Sequence, residues 1–591
     1  MSLLAALVRR YERMAAHGAA PPLGYSDEYL HFKIVIDDSG EIQSVMDLRE
    51  ASGKRAAKAR RFRVPQAPSD RRGRKIVPGL FWDPAGYALG LAAGTTEKDL
   101  DDASRKFAAF KKKHLELLSN ATSRELAAFK KFLVGWDVQK IAGNVNLPDM
   151  RKSQIGFQLD GLRQHFIHEC AEAAGLISRE SASPTLSEGM CLVTGEISPI
   201  ERLHPPIAGF PDADKIVSFN ETAFESYGKA QGANAPVSVK AAFAYTSALS
   251  GLLTSASHRV QIGDASVVFW AEPGEGEEEG AKASEDFMAL LFGGGNSDAE
   301  PAPDDKGTEA DLLSKLSSVA KGQPVPGLSI NGAMPFYVLG LSPNAARISV
   351  RFWHETTLGD LSRKLMQHFE DLRLEPLPWK KPPGFWRLLV ELAAQRKSEN
   401  IPAHLAGEVT RAILTGGPYP MSLLTLAITR LRADHDVNGH RAAIIKAVLT
   451  RLKKEVPVSL SREEPDPGYR LGRLFAVLEA VQRAGVGDVN AGIRDRYIGA
   501  ASANPSRVFP ILLRGAQDHL SSARKKGKVG YAVNLEKEIS EIMGGLSAAA
   551  PFPPTLNLDG QGRFFVGFYH QQASLFTKRT PDADSDNNQE K

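Results

Sequence analysis

The sequence predicts an α+β protein: a large mixed N-terminal region with small antiparallel sheets, followed by a C-terminal helical bundle. Three observations carry this reading. Short alternating runs bounded by turn residues occur around residues 28–50 and 336–353. Apolar residues recur at three- and four-residue steps from about residue 380 to near 550. The chain of 591 residues is also too long for one core. The expected division is a mixed region over 1–375, a helical bundle over 376–580 and a polar, disordered tail over 581–591.

The elements follow in order. Leu3, Leu4, Leu7, Val8 and Tyr11 fall on one helical face, and no long apolar core of a signal peptide accompanies them. Tyr29, His31, Lys33 and Val35 alternate, Asp37-Asp38-Ser39-Gly40 turns, and Ile42–Leu48 returns, which reads as a hairpin. The segment Lys54–Lys75 contains Pro65 and Pro68 and reads as a basic loop. Helices are expected over 101–140 from Phe107, Phe110, His114, Leu117, Leu126, Phe129 and Leu133. Val260–Trp270 reads as strands around a Gly263-Asp264 turn. Residues 272–325 begin acidic and low in complexity and read as an exposed, partly disordered excursion. Then FYVLGLSPNAARISVRFW gives a buried strand, a Pro-Asn turn and a second strand. Helical faces follow at Ile413, Leu424, Ile428, Leu431, Ile445, Val448, Leu471, Leu474, Leu478 and Val481, punctuated by Gly416-Gly417-Pro418 and Asn504-Pro505.

Composition narrows the function classes. The chain is 42% hydrophobic and 24% charged, ordinary for a globular protein, with a formal net charge of +4. That small charge leaves room for nucleic acid bound through a local patch. Two cysteines, Cys170 and Cys191, exclude a disulfide scaffold and a four-cysteine zinc site. No stretch is apolar for long enough to span a bilayer, so the expected location is the cytoplasm, with no membrane partner.

No catalytic constellation emerges. There is no phosphate-loop motif, no GxSxG elbow and no HExxH. Gly293-Gly294-Gly295 lacks the following lysine, and His435-Asp436 and the His165/His168 pair lack further ligands. Cys191 has no basic neighbour in sequence to lower its pKa and reads as a buried thiol. The expectation is a non-enzyme without cofactor or metal.

Two segments suggest binding. Lys54, Arg55, Lys58, Arg60, Arg61, Arg63, Arg71, Arg72, Arg74 and Lys75 are opposed only by Asp70, a pattern suited to a phosphate backbone or, equally, to a solvated basic surface. Phe62 lies among these arginines and either stacks on a base or packs inside. Residues 191–236 combine Ser218, Asn220, Ser226, Lys229, Gln231 and Asn234 with permissive glycines. Amides of this kind read base edges or close their own turns.

Several strings then resemble one family. CLVTGE, IERLHPPI, IVSFN, AFESYGKAQGANAPVS and AFAYTSALSGLL are similar to the large subunit of type I-C CRISPR Cascade, the Csd-type large-subunit family. So are IVPGLFWDPAGYALG, FYVLGLSPNAARISVRFW, AILTGGPYP, YRLGRLFAVLE and FVGFYHQQASLF, in order along nearly the whole chain. One departure stands out: family members commonly carry a longer insertion before VSFN, where this chain has only FPDADK.

The resemblance implies a non-catalytic subunit that checks the motif flanking a target in double-stranded DNA. It further implies help with duplex opening and R-loop formation, while guide RNA reads the sequence. Partners implied are guide RNA, target DNA, the backbone, guide-end and small subunits, and a transient helicase–nuclease. The alternative is a structural RNA-binding scaffold that does not read the DNA motif. On these terms Lys54–Lys75 with Phe62 is expected to touch phosphates or part the strands. Asn220, Lys229, Gln231 and Asn234 are expected at the flanking motif. Arg347 and Arg351, on one strand face, and Arg524, Lys525, Lys526 and Lys528 are expected at nucleic-acid backbone, with a sheet face or solvated helix end as the other reading. The segment 458–580 resembles a small subunit; a separate internal product would start at Val456 or Val458, since no methionine lies just upstream of YRLGRLFAVLE.

Overall fold

Strand formation begins where apolar residues can face a core on both sides. The fold is a computed structural model. It describes residues 2–576 except 53–54, 69–74, 142–143, 145, 163–164, 182–186, 212, 220, 256, 263–264, 293–313, 315–316, 322, 324–330, 380–382, 398–399 and 488–489. The expected tail at 581–591 lies outside the described residues. The chain forms two compact units, Met1–Thr254 with Ala345–Ile348, and Ser255–Asn344 with Ser349–Lys591.

In the first unit, helix α1 (Leu3–Ala16) is capped by Ser2, whose hydroxyl accepts from the Ala5 amide. Strands β1 (Tyr25–Leu30), β2 (Phe32–Ile36) and β3 (Ile42–Asp47) follow. β2 and β3 form the expected hairpin. β2 is buried throughout, not on alternate residues, because both its faces are covered: Phe32, Ile34 and Ile36 enter the core, and Lys33 on the other face lies at the Phe166 ring; β3 pairs on one side of it and β8 (Gln154–Leu159) runs parallel on the other. β7 (Trp82–Pro84) closes the sheet, giving the order β3-β2-β8-β7. Single-turn α2 (Ala85–Ala88), α3 (Glu97–Leu117) and α4 (Arg124–Gly135) supply Tyr87, Phe110, His114, Phe129 and Phe132 to the core of this unit.

Up to Pro65 the basic segment is strand and not the expected loop; residues 66–68 have no regular structure and 69–74 lie outside the described residues. β4 (Glu50–Ser52) and β5 (Arg55–Lys58) pair antiparallel, and β6 (Arg60–Pro65) pairs with β1 from Leu30↔Arg60 to Tyr25↔Pro65. The reason is a period of two hidden under the charge: Phe62 and Val64 face the small core of Leu30, Trp82 and Phe166. Further on come α5 (Leu147–Met150), α6 (Ala171–Ser181), the ribbon β9 (Glu188–Met190) with β10 (Ile197–Pro199), and α7 (Val239–Thr254).

The second unit opens with a sheet ordered β11-β12-β13-β14: β11 (Arg259–Ile262), β12 (Ala265–Ala271), β13 (Pro335–Asn344) and β14 (Arg347–Thr357). The strand pairs expected at 260–270 and 336–353 are both present. The acidic excursion differs from expectation at its start, where α8 (Glu278–Phe292) buries Ala281, Ser284 and Met288 at helical spacing. Its stretch 293–313 lies outside the described residues.

Phe269, Phe336 and Val338 of the sheet share one core with the helices that follow. The compact unit therefore starts at Ser255, although strands give way to helices only after Thr357. Those helices are α9 (Leu358–Leu372), α10 (Phe385–Leu392), α11 (Ala403–Thr415), α12 (Met421–Asp434) and α13 (Gly439–Arg451). They continue as α14 (Pro467–Val486), α15 (Ile493–Ala503), α16 (Pro505–Lys525), α17 (Val529–Gly544) and α18 (Leu558–Phe576).

The α14–α18 crossing is a close backbone contact. A Cβ on Gly472 would overlap the Phe564 carbonyl. Arg473, 1% exposed, crosses the same seam: its Nε donates to Gln571 Oε1 at 2.9 Å and its Nη2 pairs with Glu541 at 2.9 Å. Helix α18 also lies on α13, with Gly562 against Ile445 and Leu449.

Two outcomes follow. Gly472→Ala is expected to destabilise the second unit by about 1–3 kcal/mol through overpacking, whereas Gly407→Ala, open on all sides in α11, is expected to gain about 0.5–1 kcal/mol of helix propensity. Denaturant unfolding reads both. Second, burial holds His114, His168 and His570 down to about 4 and His368 to about 3. The unfolded chain, with ordinary histidines, therefore binds more protons than the folded one below about pH 6.5. Stability is full above that value and is lost as pH falls toward 4, by up to about 1.4 kcal/mol per pH unit for each histidine. Melting temperatures measured from pH 7.5 to 4.5 check this.

Candidate nucleic-acid interface

The basic ribbon and the polar loop both belong to the first unit. Lys54, Arg71, Arg72, Arg74 and Asn220 lie outside the described residues. Arg55 and Lys58 sit on β5, and their side chains are likewise outside the description. Arg60 and Arg61 are exposed on β6, and Lys75 is exposed beyond it. Arg60 pairs with Glu50 at 3.3 Å, an exposed ion pair of little energetic weight. The Arg61 guanidinium lies over the Tyr29 ring and donates to Thr254 Oγ1 at 3.0 Å.

Two members of the segment do other work. Arg63 pairs with Asp27 at 3.2 Å, tying β6 to β1. Phe62 meets Phe166 edge-on, ring centroids 5.2 Å apart, with the Arg60 guanidinium on the ring. Phe62 is thus part-buried against the small core of Leu30, Trp82 and Phe166.

Where the root of this ribbon nears the polar loop's stem, Gln66, Pro68, Gly79, Lys113, Glu201 and Leu203 line a cavity of about 240 Å³. Burial raises the pKa of the Glu201 carboxyl, against hydrogen bonds from the Leu203 and Arg202 amides.

The polar loop is anchored at both ends. Cys191 N–H donates to Glu196 O, Leu192 N–H to Pro236 O and Ser238 N–H to the Cys191 sulfur at 3.3 Å. Burial alone would raise the Cys191 pKa, but the hydrogen bonds from Ser238 and Thr194 outweigh it and bring the thiol to about 7. The sequence reading missed this because the stabilising donors are hydroxyls and backbone amides, not cations, and those of Ser238 lie 47 residues away. His204 Nδ1 and the Tyr245 hydroxyl share a 2.6 Å hydrogen bond, and burial, with Lys215 nearby, holds His204 neutral with a pKa of about 4. Lys215 Nζ donates to His204 O, and Ile348 N–H donates to Lys215 O.

Between these anchors, residues 221–230 are all exposed. Asn234 organises them. Its Oδ1 accepts from Ser226 N–H at 3.0 Å, while its Nδ2 donates to Lys229 O at 2.8 Å and Gln231 O at 3.0 Å. Gln231 Oε1 accepts from Arg202 at 2.7 Å. Gly232 N–H donates to Arg202 O, and a Cβ at Gly232 would overlap the Glu201 carbonyl.

Of the residues expected at the flanking motif, then, Asn234 has both amide hydrogens on backbone and acts as a positioning residue. Lys229 is the exposed member. Its amide closes the turn onto Ser226 O, with Tyr227 (φ 52°) and Gly228 (φ 70°) between them, as in a type I′ hairpin. Tyr227 is 98% exposed, and Phe224 is 41% exposed beneath the Arg347 guanidinium at 4.5 Å. The sequence marks Tyr227 as one of the loop's polar residues but gives no sign of its exposure, and it gives no signal for Phe224.

Arg347 is thus in contact with Phe224, and Arg351 is exposed on β14. In the bundle, Arg524 pairs with Glu536, Lys525 and Lys526 are exposed at the end of α16, and Lys528 Nζ donates to Ala484 O at 3.5 Å. Asp434 and the Asp436 carbonyl hold the buried Arg441 guanidinium, and the Asp436 carboxylate pairs with Arg396 at 2.7 Å. Among the described residues no group of three or more His, Cys, Asp or Glu is placed to hold a metal, and no helix is long and apolar enough to cross a membrane.

Asn234→Ala removes three hydrogen bonds worth about 1 kcal/mol each. Hydrogen exchange at the Ser226 and Lys229 amides is expected to accelerate at least tenfold, with the global melting temperature nearly unchanged; unchanged protection there would refute the positioning role.

A sequence model of the family described as CRISPR-associated protein (Cas_Csd1) matches residues 7–576. No curated protein matches the chain.

Proposed function

This chain belongs to the Cas_Csd1 family of CRISPR-associated proteins, and from that premise we propose that it is the non-catalytic large subunit of a type I-C RNA-guided surveillance complex. In this reading it recognises the motif flanking a target in double-stranded DNA, helps open the duplex for R-loop formation, and leaves cleavage to a separately recruited helicase–nuclease. Guide RNA and the backbone, guide-end and small subunits are its standing partners.

The observation that carries the reading is the basic β-ribbon. β5, paired with β4, brings Arg55 and Lys58, and β6, paired with β1, exposes Arg60 and Arg61, so these cations sit on two short paired ribbons rather than a loop. A two-stranded ribbon fits the major groove of DNA, and each cation set on a phosphate releases condensed counterions. Arg63 and Phe62 hold the ribbon and are not assigned to DNA. Lys229, exposed on its stapled turn, is the member of the polar loop best placed to meet a base edge or phosphate. In the bundle, Lys525 and Lys526 suit a displaced strand.

The test uses the assembled complex. Arg60→Ala and Arg61→Ala are expected to weaken binding to all target duplexes alike and to lower the salt slope of log K by about 0.9 for each phosphate no longer neutralised. Duplex binding and slope that stay at the parental values would instead favour a structural RNA-binding scaffold.

A further inference from the structure

Tyr227 is unusual on three counts. It is 98% exposed, the most exposed large apolar side chain among the described residues. It takes a positive φ of 52°, a conformation that L side chains rarely adopt. And it sits at the apex of a turn that is closed from behind, by the Lys229 amide on Ser226 O and by the Asn234 carboxamide, which donates two hydrogen bonds and accepts one. A tyrosine at such a site gains nothing for the fold: it touches no core, and glycine or asparagine would fit the backbone better. The surrounding hydrogen bonds hold the turn in place against that preference, so the ring is presented on a fixed stem.

We propose that the Tyr227 ring is a stacking platform for one unpaired nucleobase, exposed where the duplex opens beside the flanking motif. The proposal rests on the DNA-opening reading above and adds the group that captures a freed base. A tyrosine ring has few rotatable bonds, so little freedom is lost when a base covers it, and stacking is indifferent to base identity because every base has a π-face. The charges around the apex suit a base better than a phosphate. Lys229 lies two residues on from Tyr227, while the exposed Glu221 and Glu225 of the same lobe set negative charge against phosphate. Phe224, part exposed beneath Arg347, adds a second aromatic-cationic surface in the same lobe.

The experiment compares complexes carrying the parental chain, Tyr227→Ala, Tyr227→Gly, Tyr227→Phe and Tyr227→Trp. Each is assayed for R-loop formation on an intact duplex and on the same target already unpaired beside the flanking motif. Loss of the ring in the Ala and Gly variants is expected to slow opening of the intact duplex about tenfold or more. Phe and Trp, which keep a ring, should remain near the parental rate, and all variants should be alike on the pre-opened target. Gly accepts the positive φ, so a defect shared by Ala and Gly reports the ring and not backbone strain. Parental rates in both Ala and Gly would overturn the proposal. So would failure of these variants to enter the complex, which would make Tyr227 a protein-docking residue. A parental complex that itself ignores the flanking bases would instead sink the DNA-recognition reading on which the proposal stands.

Discussion

The exposed lobe of the first unit hangs on the carboxamide of Asn234 and on the absence of a side chain at Gly232. The carboxamide replaces backbone partners that a ten-residue exposed segment cannot find in a sheet or helix. Gly232 lets that segment lie directly on the carbonyls of Glu201 and Arg202. Those residues are fixed in turn by the Cys191–Ser238 and His204–Tyr245 contacts beneath. A polar loop with few apolar contacts is thereby made rigid enough to present an aromatic tip. Both hydrogens of that amide are spent on backbone carbonyls, so its first role in the fold is support of the stretch.

The second unit solves a different problem with a similar device. Three arginines, Arg441, Arg451 and Arg473, are almost wholly buried, and each is surrounded by backbone carbonyls and a carboxylate. Arg451 pairs with Asp371 at 2.6 Å, lies over Tyr419 at 4.1 Å and donates to the carbonyls of Ala412 and Gly417. Removing one partner of such a pair is costly, because a buried charge is left uncompensated. AILTGGPYP wraps one guanidinium, while YRLGRLFAVLE and FVGFYHQQASLF meet at another. These recognisable strings therefore describe packing in the bundle, not chemistry at a surface.

Charge in the basic segment likewise divides by geometry. On one strand Arg61 and Arg63 point to the same side and each meets its register partner, Arg63 pairing with Asp27 and Arg61 lying over the Tyr29 ring, but Arg63 is half-buried and Arg61 exposed. A run of arginines in sequence thus becomes a graded set, all fastened to neighbours but unequally exposed, and only the tertiary contacts set the grading.

Much of the architecture was legible from one dimension. The hairpin at 32–47, the helices from Phe107 and Leu126, the strand pairs near 260–270 and 336–353 and the helical bundle all follow from periodicity, because period and turn chemistry are local properties. The family, too, was legible from its strings. What sequence could not supply depended on partners far along the chain. Arg60–Pro65 is a strand because β1, some thirty residues earlier, offers an edge for it. Glu278–Phe292 is a helix because Ala281, Ser284 and Met288 find a core. Asn234 became a staple, Phe62 a packed ring and Tyr227 an exposed apex only when folding settled which groups each would meet. The sequence by itself determined the elements and the kind of surface. The tertiary structure decided which residues of that surface are left free, since freedom is what remains after every long-range hydrogen bond and contact has been made.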